Sequence, residues 1–154
     1  MTYQRIVSTN DSDIPLLASI LKLPEIARFI SIDENNYWNY VTSNEHVLYF
    51  KIYEAEHLVA AIHCEMWDKT LYMDIMVVPQ YQRRGIATKV LRDIQTGELP
   101  FDFEKIEVSI DESNVASIKL FEKMNFVCVS KEEELLNYVF EKPHGIMLVH
   151  TNLR

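Results

Sequence analysis

The stretch Met73-Asp74-Ile75-Met76-Val77-Val78-Pro79-Gln80-Tyr81-Gln82-Arg83-Arg84-Gly85-Ile86-Ala87-Thr88 reads as an apolar strand that stops at a proline and turns directly into a helix. The first amides of a helix have no partner within it and lie at the positive end of its dipole, so such a start can bind a phosphate or pyrophosphate. Gly85 is one of only three glycines in the chain and lets the backbone approach a ligand closely. Arg83 and Arg84 beside it can add charge-assisted bonds to phosphate oxygens. The same residues also fit an ordinary helix start with solvated arginines.

The elements that must position this turn follow from pattern. Residues 3–8 predict a first strand, and Asn10, Asp11, Ser12 and Asp13 offer side-chain acceptors to cap a helix over residues 14–21. Two short helical pieces follow, near residues 25–29 and 33–41. Residues 47–53, 58–67 and 70–78 are rich in β-branched and aromatic types and are joined by short polar links, which predicts an antiparallel meander. From Gly85 to about Thr96, Ile86, Val90, Leu91 and Ile94 form one apolar helical stripe, with Gly97 at the C-terminal cap. Residues 105–110 predict another strand, 114–124 another helix, and 126–130 with 135–141 a closing strand pair. The expectation is an α/β fold with a mixed, mostly antiparallel central sheet flanked by helices, in one domain over residues 1–154.

Composition excludes several functions. A net charge of -8 opposes binding to nucleic acid and favours cationic partners. No apolar run is long enough to span a bilayer and the first residues lack a signal peptide, so a cytoplasmic protein without a membrane partner is expected. Cys64 and Cys128 stand apart in apolar stretches and read as reduced core thiols. His46, His57, His63, His144 and His150 show no ligand spacing, and no metal is expected. Neither G-x-G-x-x-G nor a Walker phosphate loop occurs, which removes the dinucleotide and nucleotide-triphosphate alternatives.

The run Gln82-Arg83-Arg84-Gly85-Ile86-Ala87 resembles the Q/R-x-x-G-x-G/A signature of GNAT acetyltransferases. Downstream, Asn114-Val115-Ala116-Ser117-Ile118-Lys119-Leu120-Phe121-Glu122-Lys123-Met124-Asn125-Phe126 is similar to the family's second motif, N-x-x-A-x-x-L-Y-E-K-x-G-F. The order of expected elements also resembles the family over about residues 2–142. The resemblance implies acetyl-CoA as cosubstrate and an amine acceptor, small molecule or protein. It implies that the backbone of Gln82, Arg83, Arg84, Gly85, Ile86, Ala87 and Thr88 holds the pyrophosphate, that the strand at Met76 and Val77 pairs with pantetheine, and that Asn114 and Ser117 contact the coenzyme. Many members are dimers, so a homodimer is compatible with it.

The chemistry sets further requirements. An alkylammonium of pKa near 10.4 is mostly protonated at neutral pH, so a base or a water chain must take its proton before attack on a thioester. Oxyanion stabilisation is expected from backbone N–H groups near Val77, by the same resemblance. Where many members protonate the leaving thiolate with a tyrosine, this chain has Phe121; another donor or water can substitute, and Tyr138 is one candidate donor. At the positions where some members carry a catalytic glutamate stand Met73 and Ser109. Asp74 is one candidate base, although strand alternation turns it to the opposite face from Met73. Glu34, Glu107 and Asp111 are further carboxylates, and Tyr37, Trp38 and Tyr40 either line an acceptor pocket or pack in the core. These departures keep a second reading open, a coenzyme-binding module that has lost transfer.

Overall fold

The computed structural model describes residues 1–30, 32–33 and 35–143. One seven-stranded sheet organises it, in the order β1-β2-β3-β4-β5-β7-β6. β1 (Thr2–Arg5), β2 (Val47–Glu54), β3 (His57–Trp67) and β4 (Thr70–Val77) are antiparallel neighbours. β5 (Lys105–Asp111) pairs in parallel with β4, and the hairpin of β6 (Val127–Glu132) and β7 (Leu135–Glu141) closes the far edge.

Strand alternation gives the sheet two cores. On one face, Phe50, Ile52, Ile62, Cys64, Leu71 and Met73 pack against the apolar stripe of α4 (Ile86–Gln95) and against Phe121 of α5 (Val115–Lys123). On the other, Val47, Tyr49, Ala61, Met76 and Val78 pack against α1 (Ile14–Leu21), α2 (Pro24–Ala27) and α3 (Tyr37–Ser43). α4 ends where expected, at Gly97, whose φ of 85° is the left-handed conformation that a C-terminal cap needs.

Two expectations give way here. Asp13 does occupy the N-cap position of α1, but its side chain makes no capping bond. Lys51 draws it away: the ammonium donates to Asp13 at 2.6 Å and to Asp11 at 2.8 Å, and Tyr53 also donates to Asp13. A buried ammonium needs counter-charges more than the helix needs one cap. Cys128 is exposed and is not a core thiol, because β6 is an edge strand with both faces open.

The feature that matters for function lies between β4 and β5. They pair only from Thr70↔Lys105 to Tyr72↔Glu107 and then separate. β4 stays with β3 as far as Ala60↔Val77, while β5 follows β7 as far as Asp111↔Leu135. Each is therefore held on its outer edge, and the inner edges of residues 73–77 and 108–111 open into a cleft.

Candidate active site

The cleft between the splayed strands encloses about 500 Å³. Its walls are residues 73–77 of β4, residues 108–111 of β5, the turn into α4, and the first turns of α5. Backbone groups on an open strand edge demand partners, so this wall can take an extended chain that carries amides. The orientation of those groups follows from one bond. Val78 N–H donates to the Val59 carbonyl at 2.9 Å, so alternation turns the N–H groups of Val77, Ile75 and Met73 away from β3 and towards the cleft.

At one end of the cleft the chain passes through a 3-10 turn, Pro79–Tyr81, and enters α4. Arg83 (φ 64°) and Gly85 (φ 80°) are both left-handed, a curl that turns successive N–H groups into one hollow. Lys89 N–H makes the bond to the Gly85 carbonyl that starts α4, so the amides of Ile86, Ala87 and Thr88 come before the helical ladder. A Cβ on Gly85 would meet nothing within 4 Å, so the turn is open at this position, and Gly85, Ile86, Ala87 and Thr88 all border the cleft. Gln82 holds the loop by donating to the Val77 carbonyl at 3.1 Å. This hollow fits a pyrophosphate: unpartnered donors, the positive end of a ten-residue helix, and room.

A second, smaller cavity of about 220 Å³ lies on the other face of the sheet, under α1 to α3. Leu21, Ile30, Ile32 and Met76 form its apolar wall, and Tyr37, His63, Glu65 and Asp74 its polar one. The strand register brings the polar groups together, since His63 lies opposite Tyr49 on β2 and Asp74 on β4. His63 Nε2 lies 2.7 Å from Glu65 Oε2, and His63 Nδ1 lies 2.7 Å from Tyr37 Oη. An ionised carboxylate only accepts, so Nε2 carries a proton, and in the neutral ring Nδ1 accepts from the tyrosine. Burial pushes the Tyr37 hydroxyl far above the ordinary phenol range, which keeps it protonated as that donor. Burial would raise Glu65 too, but bonds from His63, Trp67 and Tyr40 outweigh it and hold the carboxyl low.

Asp74 lines both cavities, as do Ile30 and Met76. Its carboxylate takes part in no hydrogen bond or ion pair among the described residues. It is open to the cavities, yet it sits in a hollow with protein on most sides, and that burial raises its pKa. His63 opposes the shift and Glu65 adds to it. An unpaired carboxylate of raised pKa, at the junction of the cleft and a small pocket, suits proton abstraction.

The profile of the acetyltransferase (GNAT) family matches residues 16–126. The chain belongs to the GNAT acetyltransferase family. Its fold is similar to that of the N-acetyltransferase PseH of Campylobacter jejuni in complex with acetyl coenzyme A, with TM-score 0.74 and 13% identity over 92% of this chain and 99% of that one. It is also similar to the spermidine N-acetyltransferase of Vibrio cholerae in complex with CoA and spermine, with TM-score 0.74 and 14% identity over 92% of this chain and 95% of that one. The GNAT domain of S. lividans PAT gives TM-score 0.74 at 12% identity, over 90% of this chain and 89% of that domain. No curated protein matches the chain by sequence.

In this GNAT chain Met76, Val77, Gln82, Arg83, Gly85, Ile86, Ala87, Thr88, Asn114 and Ser117 all line the cleft. Arg84 does not, and its guanidinium lies over the Tyr81 ring, 5.4 Å from the centroid. Asn114 caps α5, its side chain accepting from Ser117 N–H at 3.3 Å. Tyr138 lines neither cavity. Its ring is buried, and its hydroxyl donates to Glu122 at 2.8 Å and is pushed up to about 12, first by burial and then by that bond. This geometry speaks against the expectation that Tyr138 is the proton donor. Phe121 does line the cleft, packed edge-on against Phe126.

Among the other carboxylates, Asp111 reaches the cleft but accepts from Ser113 N–H and Oγ, and Glu107 pairs with Lys105 at 3.4 Å. Glu34, His144 and His150 lie outside the described residues. Of the aromatic trio, Tyr37 lines the small pocket, Trp38 packs against Tyr49, and Tyr40 donates to Glu65 at 3.0 Å. Sequence reasoning missed His63 and Glu65. The available signal was their placing two apart in an otherwise apolar strand, which sets them on one face beside Tyr49 and Asp74.

Proposed function

We propose that the protein transfers the acetyl group of acetyl-CoA to a primary amine in a ternary complex. The observation that carries this reading is the unpaired Asp74 carboxylate where the two cavities meet. The turn at residues 82–88 fits the pyrophosphate, and the free edge of β4 fits pantetheine. Bound there, the cosubstrate supplies an activated thioester.

The chain's own residues do the rest. Asp74 takes a proton from the acceptor ammonium, so that the nitrogen lone pair is free to attack the thioester carbon. The Val77 N–H, which faces the cleft, stabilises negative charge on the thioester oxygen. A C–N bond forms and the C–S bond breaks. The electron pair leaves on sulfur, and the second nitrogen proton passes through water to the thiolate. Phe121 gives no proton, but a thiol of pKa near 8.5 is a fair leaving group unaided. The raised pKa of Asp74 also predicts that kcat/KM falls as pH drops through a value above the ordinary carboxylate range.

Phe121 is also what favours the second reading, a binding module without transfer. Free thiol released from acetyl-CoA, measured across a panel of amines, separates the two. Amine-dependent release above background hydrolysis supports transfer, and release no faster than hydrolysis with every amine supports the module.

A further inference from the structure

Glu65, in the lining of the small pocket, also touches a part of the surface that acetyl transfer alone does not require. On this face β3 presents His63, Glu65 and Trp67, and β4 presents Tyr72, Asp74 and Met76, with Glu65 opposite Tyr72 and His63 opposite Asp74. α3 adds Tyr40. Tyr40, Trp67 and Tyr72 are each at least 40% exposed around one acidic group, with Trp67 stacked on His46 at 3.9 Å between centroids and Tyr40 on His63 at 6.4 Å. Tyr40 Oη and Trp67 Nε1 donate to Glu65 Oε1 at 3.0 and 3.3 Å. Those bonds, with that from His63, keep Glu65 ionised, and neither it nor Asp74 pairs with a lysine or arginine among the described residues.

We propose that the acceptor is a short unbranched diamine, whose reacting nitrogen lies at Asp74 and whose second ammonium lies at Glu65 among the rings of Tyr40, Trp67 and Tyr72. This inference rests on the acetyl-transfer reading above. Aromatic faces and a carboxylate together are the usual protein surroundings of an ammonium. Asp74 and Tyr72 are two residues apart on β4, roughly 6.6 Å at the strand rise, a span that a short diamine covers. Leu21, Ile30, Ile32 and Met76 give the methylenes an apolar wall. A monoamine brings no second cation to Glu65, and an amino sugar turns hydroxyls towards that wall.

The test is kcat/KM for putrescine and cadaverine against butylamine and pentylamine, with acetyl-CoA saturating, at low and high salt. The diamines are expected to be preferred by about tenfold or more, the scale of one partly desolvated cation–aromatic and charge contact. The preference should shrink as salt screens the second charge. Glu65→Gln should cost the diamines more than the monoamines, and Trp67→Leu should do the same without touching a charge. Equal kcat/KM for matched diamines and monoamines overturns the inference and leaves acetyl transfer standing. No thiol release with any amine, from protein that melts cooperatively, overturns both.

Discussion

The ionised carboxylate of Asp74 is less favourable in the folded chain than in the unfolded one, because burial raises its pKa. The sign of the consequence is fixed. Below the ordinary carboxylate range both states are protonated and nothing is lost, and as pH rises through the elevated folded pKa the penalty grows to its full value. Asp74 is open to solvent through the cavities, which screens this penalty, so its opposition to folding at neutral pH is small. Asp74→Asn, which keeps the shape and removes the charge, is expected to raise the Tm at pH 7 and to lower kcat/KM by about 10² or more. Differential scanning fluorimetry and thiol release measure the two effects, and a lower Tm would contradict the raised pKa of Asp74. Phe121→Tyr restores a hydroxyl at the wall of the cleft. It is expected to raise kcat by up to about 10², the scale of a general acid replacing water, and an unchanged kcat would mean that protonation of the sulfur does not limit the rate.

At the scale of elements, the open edge of β4 is the part that must change on binding. The N–H groups of Ile75 and Val77 face the cleft, so their hydrogen exchange is expected to slow with acetyl-CoA, while those of Asp74 and Met76, paired to β3, change little. Equal slowing along the whole strand would contradict the pairing. Elsewhere, Lys51 ties β2 to the loop before α1 through Asp11 and Asp13. Lys51→Met leaves two half-buried carboxylates without their cation and is expected to cost about 3 kcal/mol, near 10 °C in Tm. Burial alone would raise Asp13, but the Lys51 and Tyr53 bonds outweigh it and the carboxyl sits low. Its contribution is thus present above the ordinary carboxylate pKa and lost as pH falls through the lowered one. The Lys51→Met chain should show a shallower loss of Tm between neutral and acid pH.

Across the whole molecule, what was legible in the sequence was what is local along the chain. The turn at Gly85 declares itself through a rare glycine, a preceding proline and an apolar helical stripe, all within about twenty residues. The β2-β3-β4 meander and the helix end at Gly97 are local in the same way. The small pocket is not. Tyr37, Tyr49, His63 and Asp74 meet only because three strands align in register beneath α3, and no spacing rule encodes that. Asp13 and Cys128 were misread for a related reason, since a distant lysine and an edge position overrode their local signals.

The central claim is that the cleft between β4 and β5 holds a CoA thioester on the Gly85 turn. It is tested most directly by the Tm of the wild type and of Gly85→Glu with acetyl-CoA, CoA, NAD and ATP in turn. Glutamate adds bulk and negative charge at the open turn into α4, at a left-handed φ that strains any side chain. At about 100 times the Kd, binding should stabilise the wild type by roughly 2.7 kcal/mol, or about 8 °C, with the two CoA species alone. The variant should fold and show no shift. A folded wild type that ignores both CoA species, or a Gly85→Glu chain that responds as fully as wild type, would contradict the account.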